Sequence, residues 1–200
     1  MDRIVIMLKK FKGLNQFFHL AQNKVNLTFS PFVVTIDKQV LQVMQASDDD
    51  IPNLLMLEQK VYSGYMPWDE LSFRTELNKK KNTLYLVVYH VSTLIAFIGV
   101  RFRSREAHIT NIAVAPEFQH QHVGTFLMQL MIERARQNGS ECVSLEVRVD
   151  NELAQKFYQL LGFEATFIRK NYYQDIATDA LNMVLWLKPH QVNKRKKLKF

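Results

Sequence analysis

Residues 109–126 read ITNIAVAPEFQHQHVGTF, and residues 145–163 read LEVRVDNELAQKFYQLLGF. In the first stretch, an apolar run predicts a strand that Pro116 ends, and a helix is expected to begin near Val123. In the second, LEVRV alternates as a strand does, and Asn151 is a good N-cap for a helix over 152–161, which Gly162 ends. Each stretch therefore predicts a strand, a turn and a helix, and the other elements are arranged around them.

The segments outside these stretches predict further strands and helices. Alternating runs within 32–46 flank Asp37-Lys38-Gln39, which indicates a hairpin. Residues 47–50 offer N-caps for a helix that continues to about Val61, and Pro52 suits its first turn. A second, short helix ends near Leu77. Other strands are predicted over residues 84–90, 93–102, 107–115, 141–149, 163–173 and 180–187, with a further helix over 123–137.

The composition restricts the class of protein. The 200 residues are 48% hydrophobic and 22% charged, which fits one sizeable globular domain with appendages. The single cysteine, Cys142, excludes an intrachain disulfide framework, and its strand-like surroundings favour a small buried residue over a nucleophile. No apolar run approaches the ~20 residues of a membrane span, and no small-residue cleavage site follows the apolar N-terminal stretch. A cytoplasmic location is therefore expected.

The positive charge of the chain lies at its ends. Of the net +7, residues 1–24 contribute +4 and residues 194–199 contribute +5, so the middle carries −2. A nucleic-acid-binding domain would carry its basic surface on the folded body. Contact with nucleic acid is therefore expected at most through the basic ends.

Three regions follow from this distribution. Residues 1–39 are predicted to form a basic amphipathic leader and a strand, residues 40–188 the main domain, and residues 189–200 a basic disordered tail. Residues 4–22 have helical periodicity, which fits a membrane-surface or ribosome-docking helix, a helix packed on its own domain, or a loose leader. Met7 is an alternative start.

The helix start at Val123-Gly124-Thr125 is an anion site in principle. The first N–H groups of a helix have no partner within it, and the helix dipole places partial positive charge there. Glycine lacks a Cβ, which lets a phosphate approach closely. Many helices begin in this way, so the residues around this one must add the specificity.

Those residues resemble motif A of the GCN5-related N-acetyltransferases (GNATs). The family pattern is Arg or Gln, any two residues, Gly, any residue, then Gly or Ala. Gln119 occupies the first position and Gly124 the last, whereas His122 stands in place of the first glycine. Either the loop is slightly displaced or the imidazole itself meets the pyrophosphate of the cofactor.

The second stretch narrows the resemblance. LEVRVDNELAQKFYQLLGF is similar to the corresponding segment of the RimI subgroup, peptide α-amino acetyltransferases that act on ribosomal proteins, and IRKNYY followed by DALNMVLWL continues the likeness. The resemblance covers about residues 40–188. It implies the GNAT fold, of α+β class, with a mixed central sheet of about six to seven strands flanked by about four helices.

The resemblance also implies roles for particular residues. Glu146 would be the general base and Tyr158, twelve residues later, the general acid. Tyr172 and Tyr173 would line the peptide side. The residues expected to bind acetyl-CoA are Ile112, Ala113, Val114, Gln119, His120, Gln121, His122, Val123, Gly124, Thr125 and Asn151.

Elementary chemistry supports this pair of residues. An amine must be neutral to attack a thioester, and a carboxylate at a strand end can take its proton. The leaving group is a thiolate, whose thiol has a pKa of about 8.5, and a phenol has a pKa of about 10, so a tyrosine can protonate the departing sulfur. An α-amine, at about 7.7–8.0, loses its proton more easily than a lysine at about 10.4, so one carboxylate suits a chain N-terminus better.

The predicted function is thus an acetyl-CoA-dependent N-acetyltransferase that acts on a protein N-terminus, with a ribosomal protein as the expected acceptor. One alternative is a GNAT that acts on lysine, a polyamine or another small amine. Another is a non-catalytic ribosome- or RNA-associated protein that uses its basic ends. No metal is expected, because the histidines show no metal-ligand spacing.

Overall fold

The computed structural model describes residues 25–62 and 67–188, apart from the side chain of Asp175. The predicted leader helix over 4–22 and the basic tail lie outside these residues. The described strands are β1 (Phe32–Ile36), β2 (Gln39–Gln45), β3 (Thr83–His90), β4 (Thr93–Phe102), β5 (Glu106–Val114), β6 (Cys142–Arg148), β7 (Glu164–Tyr173) and β8 (Thr178–Trp186). The described helices are α1 (Ile51–Val61), α2 (Glu70–Leu77), α3 (Val123–Gln137) and α4 (Glu152–Leu160).

The strands form one mixed sheet in the order β1-β2-β3-β4-β5-β6-β8-β7. Neighbouring strands run antiparallel except β5 and β6, which are parallel. The α+β class and the mixed sheet are confirmed, but the sheet has eight strands rather than six to seven. The additional edge strand is β1, which pairs with β2 along its whole length, so the hairpin spans the predicted boundary between residues 39 and 40.

Local chemistry accounts for the turns and helix starts. Asp37 and Lys38 both have positive φ, the backbone that a tight two-residue hairpin requires. Ser47 and Asp50 form a capping box ahead of α1, and Pro52 lies in its first turn. Asn151 Oδ1 accepts the Ala154 N–H at 3.1 Å and so caps α4, as predicted.

The core lies on both faces of the central strands. Residues 84–88 of β3 and 94–100 of β4 are buried without interruption, and a sheet that is covered on both faces produces this pattern. The core aromatic rings include Phe73 of α2, which meets Phe97 of β4 edge to face at 5.7 Å between centroids. None of the helices in the described ranges could cross a membrane; α3, with 15 residues, is the longest.

The strands β5 and β6 separate at the middle of the sheet. They pair only from Glu106 to His108 on β5 and from Cys142 to Ser144 on β6. Thr110 is an extra residue opposite β4, because Gly99 pairs with Asn111 while Val100 pairs with Ile109. A bulge bends the strand that carries it, and here the strand beyond the bulge no longer pairs with β6. The separation opens the cleft described next.

Candidate active site

The separated strands form the two walls of a cleft of about 600 Å³. One wall is β5 from Ile109 to Val114, and the other is β6 from Leu145 to Arg148. Other lining residues come from the end of α1, from Trp68, from the start of α3 and from α4. Because β5 pairs with β4 on one side only, the backbone edge of residues 109–114 that faces β6 is left for a ligand.

The start of α3 closes one end of the cleft. The first bond of the helix runs from the Phe126 N–H to His122 O, so the N–H groups of residues 123–125 have no partner within the helix. The loop before the helix is held by side chains that bond back to it. Gln119 Nε2 donates to Val114 O at 3.0 Å, and Gln121 Nε2 donates to Glu117 O at 2.7 Å.

His122 occupies the turn directly before α3. Its backbone is left-handed, with φ 58°, so histidine takes the conformation in which the family pattern has glycine, and α3 begins directly after it. The imidazole is 72% exposed, and its Nε2 lies 3.9 Å from Asp37 Oδ2 in the β1–β2 turn. The ring therefore reaches toward the β1–β2 hairpin, and its contact with a pyrophosphate stays a prediction.

Twelve of the predicted site residues line the cleft, and three do not. Those that line it are Ile112, Ala113, Val114, Gln119, His120, His122, Gly124, Thr125, Glu146, Asn151, Tyr158 and Tyr173. The side chain of Gln121 donates to Glu117 O, and the side chain of Val123, the first residue of α3, is buried. Tyr172 is 44% exposed and stacks edge to face on Tyr173, with the Arg169 guanidinium 5.8 Å from its ring centroid.

An amide, a guanidinium and an imidazole surround the carboxylate of Glu146. Its side chain is 5% exposed. Oε1 lies 3.1 Å from both Asn182 Nδ2 and Arg169 Nε, and Oε2 lies 3.2 Å from His108 Nε2. The Asn182 amide and the Arg169 guanidinium fix the orientation of this carboxylate.

A polar chain connects Glu146 to the far side of the strand pair. His108 Nδ1 lies 2.8 Å from Ser144 Oγ, and the Ser144 hydroxyl donates to Glu106 Oε1. Since the serine proton goes to Glu106, His108 must donate from Nδ1, which leaves Nε2 of a neutral ring as an acceptor. Burial lowers the pKa of His108, against the opposing effect of Glu146 and Glu106, and this favours the neutral ring. Nε2 can then accept a proton that Glu146 has gained.

Tyr158 stands on α4 at the opposite side of the cleft from β5. Burial raises the pKa of its phenol, and the phenols of Tyr62 and Tyr173 raise it further. Its ring packs against Phe163, with centroids 5.9 Å apart. A phenol in these surroundings stays protonated at neutral pH, so it can act as a proton donor.

Residues 49–163 match the model of the acetyltransferase (GNAT) family. The chain belongs to this family. A protein of Escherichia coli strain K12 named ribosomal protein bS18-alanine N-acetyltransferase is 33% identical over 138 residues, which are 68% of this chain and 90% of that protein. The predicted family and the enzyme class, an N-acetyltransferase, are thereby confirmed.

Solved structures agree with this membership. The crystal structure of the ribosomal-protein-S18-alanine N-acetyltransferase from Escherichia coli superimposes with a TM-score of 0.66 at 30% identity, covering 80% of this chain and 99% of that one. A GNAT family acetyltransferase from Elizabethkingia anophelis, solved with acetyl-CoA bound, has a TM-score of 0.61 at 22% identity and covers 74% and 98% of the two chains. The second likeness shows the fold alone.

The sequence did not identify the side-chain roles of three polar residues at this GNAT cleft. Glu58 and Asn111 line it, and His108 contacts Glu146 from β5. Glu58 is one polar position in an amphipathic helix, which ordinarily faces solvent. His108 reaches Glu146 only because β5 and β6 pair in parallel with His108 opposite Ser144. Contacts of this kind depend on strand register, which a single sequence does not specify.

Other candidate chemistries find little support in the described part of this GNAT chain. Within residues 25–62 and 67–188, no group of three or more His, Cys, Asp or Glu side chains could hold a metal ion. Cys142 is half-buried at the start of β6, whereas the sequence predicted a buried residue, and it is not among the residues that line the cleft. Burial raises the pKa of its thiol, with Glu106 and Glu141 contributing, which opposes a thiolate nucleophile.

Proposed function

We propose that this chain transfers the acetyl group of acetyl-CoA to the α-amine of a protein N-terminus, with a ribosomal protein as the acceptor. The observation that carries the proposal is the pair of Glu146 and Tyr158 in one cleft. The name of the 33% identical Escherichia coli protein supports the class of acceptor.

Two features of the cleft suit acetyl-CoA. The edge of β5 from Ile112 to Val114 does not pair with β6, so it can offer backbone groups to an amide-containing pantetheine arm. The N–H groups of Val123, Gly124 and Thr125 suit a pyrophosphate, because a helix start favours negative charge. Bound there, acetyl-CoA would supply an acetyl group activated as a thioester.

Glu146 is the proposed proton acceptor. It takes a proton from the amine, directly or through water, as the amine nitrogen bonds to the carbonyl carbon. Arg169 and Asn182 keep its oxygen atoms in position, and His108 Nε2 can accept the proton onward. An α-amine has a pKa of about 7.7–8.0, so at neutral pH little free energy is needed to deprotonate it.

Tyr158 is the proposed proton donor. When the bond between carbon and sulfur breaks, its phenol protonates the sulfur, whose thiol has a pKa of about 8.5. The raised pKa of Tyr158 keeps the phenol protonated before each turnover. One proton leaves the amine and one reaches the sulfur, so no covalent enzyme intermediate is required.

A panel of acceptors tests the proposal. The full chain is incubated with acetyl-CoA and peptides that carry a free α-amine, an internal lysine with a blocked N-terminus, or both, alongside spermidine, and free thiol is followed. We expect turnover with the free α-amine and little with the others. Preference for lysine or spermidine would favour the small-amine alternative, and no turnover with any amine would contradict an active acetyltransferase.

Substitutions of the two residues test their roles. We expect Glu146→Gln and Tyr158→Phe each to lower kcat by about 10²–10⁴-fold, the range for loss of a general base or acid. The exposed carboxylate of Glu164 and the phenol of Tyr89, which donates to Asp50 Oδ1 outside the cleft, provide controls, as Glu164→Gln and Tyr89→Phe. Near-normal rates in both site variants would mean that other groups move the protons.

A further inference from the structure

Glu58 places a second buried carboxyl group in the cleft. It lies in the last turn of α1, is 1% exposed and lines the same cavity as Glu146 and Tyr158. Its Oε2 accepts the backbone N–H of Trp68 at 3.0 Å. The side chain therefore faces the cleft at a fixed position.

No cation of the described residues neutralises this carboxyl group. Within residues 25–62 and 67–188, no Lys, Arg or His nitrogen is within ion-pair distance of Glu58, although Glu146 has Arg169. Glu76, at 2% exposure, is a direct comparison, because it binds both Arg101 and Lys79. Burial would raise the pKa of Glu76, but these two cations lower it overall, whereas burial raises the pKa of Glu58 to about 7.

The side-chain amide of Asn111 lies beside Glu58. Asn111 lines the cleft from β5, and its Oδ1 accepts the Tyr85 hydroxyl at 2.6 Å. Within the part of the chain that the structure describes, its buried Nδ2 has no partner in full hydrogen-bond geometry, although the amide lies near enough to Glu58 to lower the pKa of that carboxyl against the effect of burial. Buried donors are rarely left unpaired, so this one points to a ligand atom that accepts a hydrogen bond. A buried carboxylate and a free amide donor suit the ammonium group and the first carbonyl oxygen of a peptide.

We propose that Glu58 binds the α-ammonium group of the incoming acceptor, before Glu146 takes its proton, and that Asn111 Nδ2 donates to the first carbonyl oxygen. The inference rests on the proposed function and assigns recognition and proton removal to different carboxylates. Glu58 is then a residue of substrate binding and specificity. It favours acceptors with a cationic amine at the end of a chain.

The variant Glu58→Gln tests this inference with little disturbance. Its amide oxygen can still accept the Trp68 N–H, so only the charge is removed. We expect the KM for a free-α-amine peptide to rise about 10- to 100-fold, the range for a charge-assisted hydrogen bond. We expect kcat to stay within about threefold and the KM for acetyl-CoA to be unchanged, since the groups that move protons remain. Glu70→Gln, at an exposed ion pair with Arg74 on α2, is the matched control.

A neutral analogue of the acceptor separates recognition of charge from a structural role. The analogue is the same peptide with a hydroxyl group in place of the α-amine, used as a competitive inhibitor. Because charge is what Glu58 would recognise, we expect wild type to bind it about 10- to 100-fold more weakly than the amine peptide. The difference should disappear in Glu58→Gln, while both proteins keep the same far-UV circular dichroism spectrum.

Distinct results would overturn the inference and the proposed function. An unchanged peptide KM in Glu58→Gln, or a loss of kcat alone, would overturn the role of Glu58 in a protein that still acetylates α-amines. An equal preference for amine over hydroxyl in both proteins would do the same. Failure of the wild-type chain to acetylate any α-amine peptide would instead overturn the proposed function, and the Glu58 inference with it.

Discussion

Glu58 and Glu146 are two buried carboxyl groups of one cleft with different surroundings. Glu146 has an arginine, an amide and an imidazole within 3.2 Å, whereas the hydrogen bond that fixes Glu58 comes from one backbone N–H. The protein itself compensates the charge of Glu146 with an ion pair to Arg169 and the amide of Asn182. A buried carboxylate without a nearby cation, such as Glu58, becomes fully stable as an anion only when a cationic ligand binds. The difference supports separate roles for the two residues.

The surroundings of Glu58 predict a pH-dependent cost in stability. The unfolded chain loses the Glu58 proton near pH 4.5, because that is the ordinary pKa of the group, and the folded chain keeps it until about pH 7. Over this interval the folded state binds more protons, so stability falls as pH rises from about 4.5 to about 7. We expect Glu58→Gln to lack this loss and to be more stable than wild type at pH 8, by up to about 3 kcal/mol.

Urea unfolding at pH 4.5 and pH 8 provides the measurement. The quantity compared is the difference in the free energy of unfolding between Glu58→Gln and wild type, because other titrating groups contribute equally to both. We expect a small difference at pH 4.5 and a larger one in favour of the variant at pH 8. A difference that does not change with pH would show that Glu58 ionises normally in the folded protein.

The conformation at the start of α3 predicts how replacement of His122 affects the binding of acetyl-CoA. His122 has a left-handed backbone, which costs a residue with a Cβ about 1–2 kcal/mol, and its ring lies at the rim. His122→Gly removes this strain and leaves the N–H groups of residues 123–125 in place. We expect the Kd for acetyl-CoA, measured by calorimetry, to be unchanged or lower.

His122→Ala is the control, since it removes the imidazole and keeps the Cβ. If the ring does not bind the pyrophosphate, alanine should also leave the Kd for acetyl-CoA within about threefold, while it keeps the backbone strain. A loss of more than about tenfold in both variants would mean that the imidazole is a ligand.

The elements themselves could be predicted well from the sequence, because each depends on local chemistry. The hairpin at Asp37-Lys38, the start of α1 near Asp50 and the cap at Asn151 all lie where turn and capping residues indicated them. The separation of β5 from β6 was not predicted, since it depends on the bulge at Thr110. The room for that bulge comes partly from Gly99, where a Cβ would lie 2.2 Å from the Tyr85 ring.

The whole molecule determines which side chains meet in the site. The family pattern was sufficient to predict that Glu146 and Tyr158 face one cleft, but it was insufficient for Glu58 and His108. Glu58 is buried partly by the chain around Trp68, which approaches from beyond the end of α1. His108 depends on the parallel pairing of two strands that α3 separates in the chain. Both require tertiary structure, which local patterns do not contain.

The distribution of charge over the whole molecule predicts that catalysis and the basic tail are separable. The described residues that line the cleft lie between Glu58 and Tyr173, and Leu187 N–H bonds to Glu141 O at 2.8 Å, so the chain is still attached to the body at residue 187. Removal of residues 189–200 takes away +5 of the net +7. We expect kcat/KM for a short free-α-amine peptide to stay within about twofold, whereas retention on a heparin column at low salt should fall markedly.

A variant that keeps the full length but replaces the five lysines and arginines of residues 194–199 with glutamine separates charge from length. A tenfold loss of kcat/KM in both variants would mean that the tail's charge contributes to the site, and unchanged retention would place the polyanion-binding surface elsewhere on the chain.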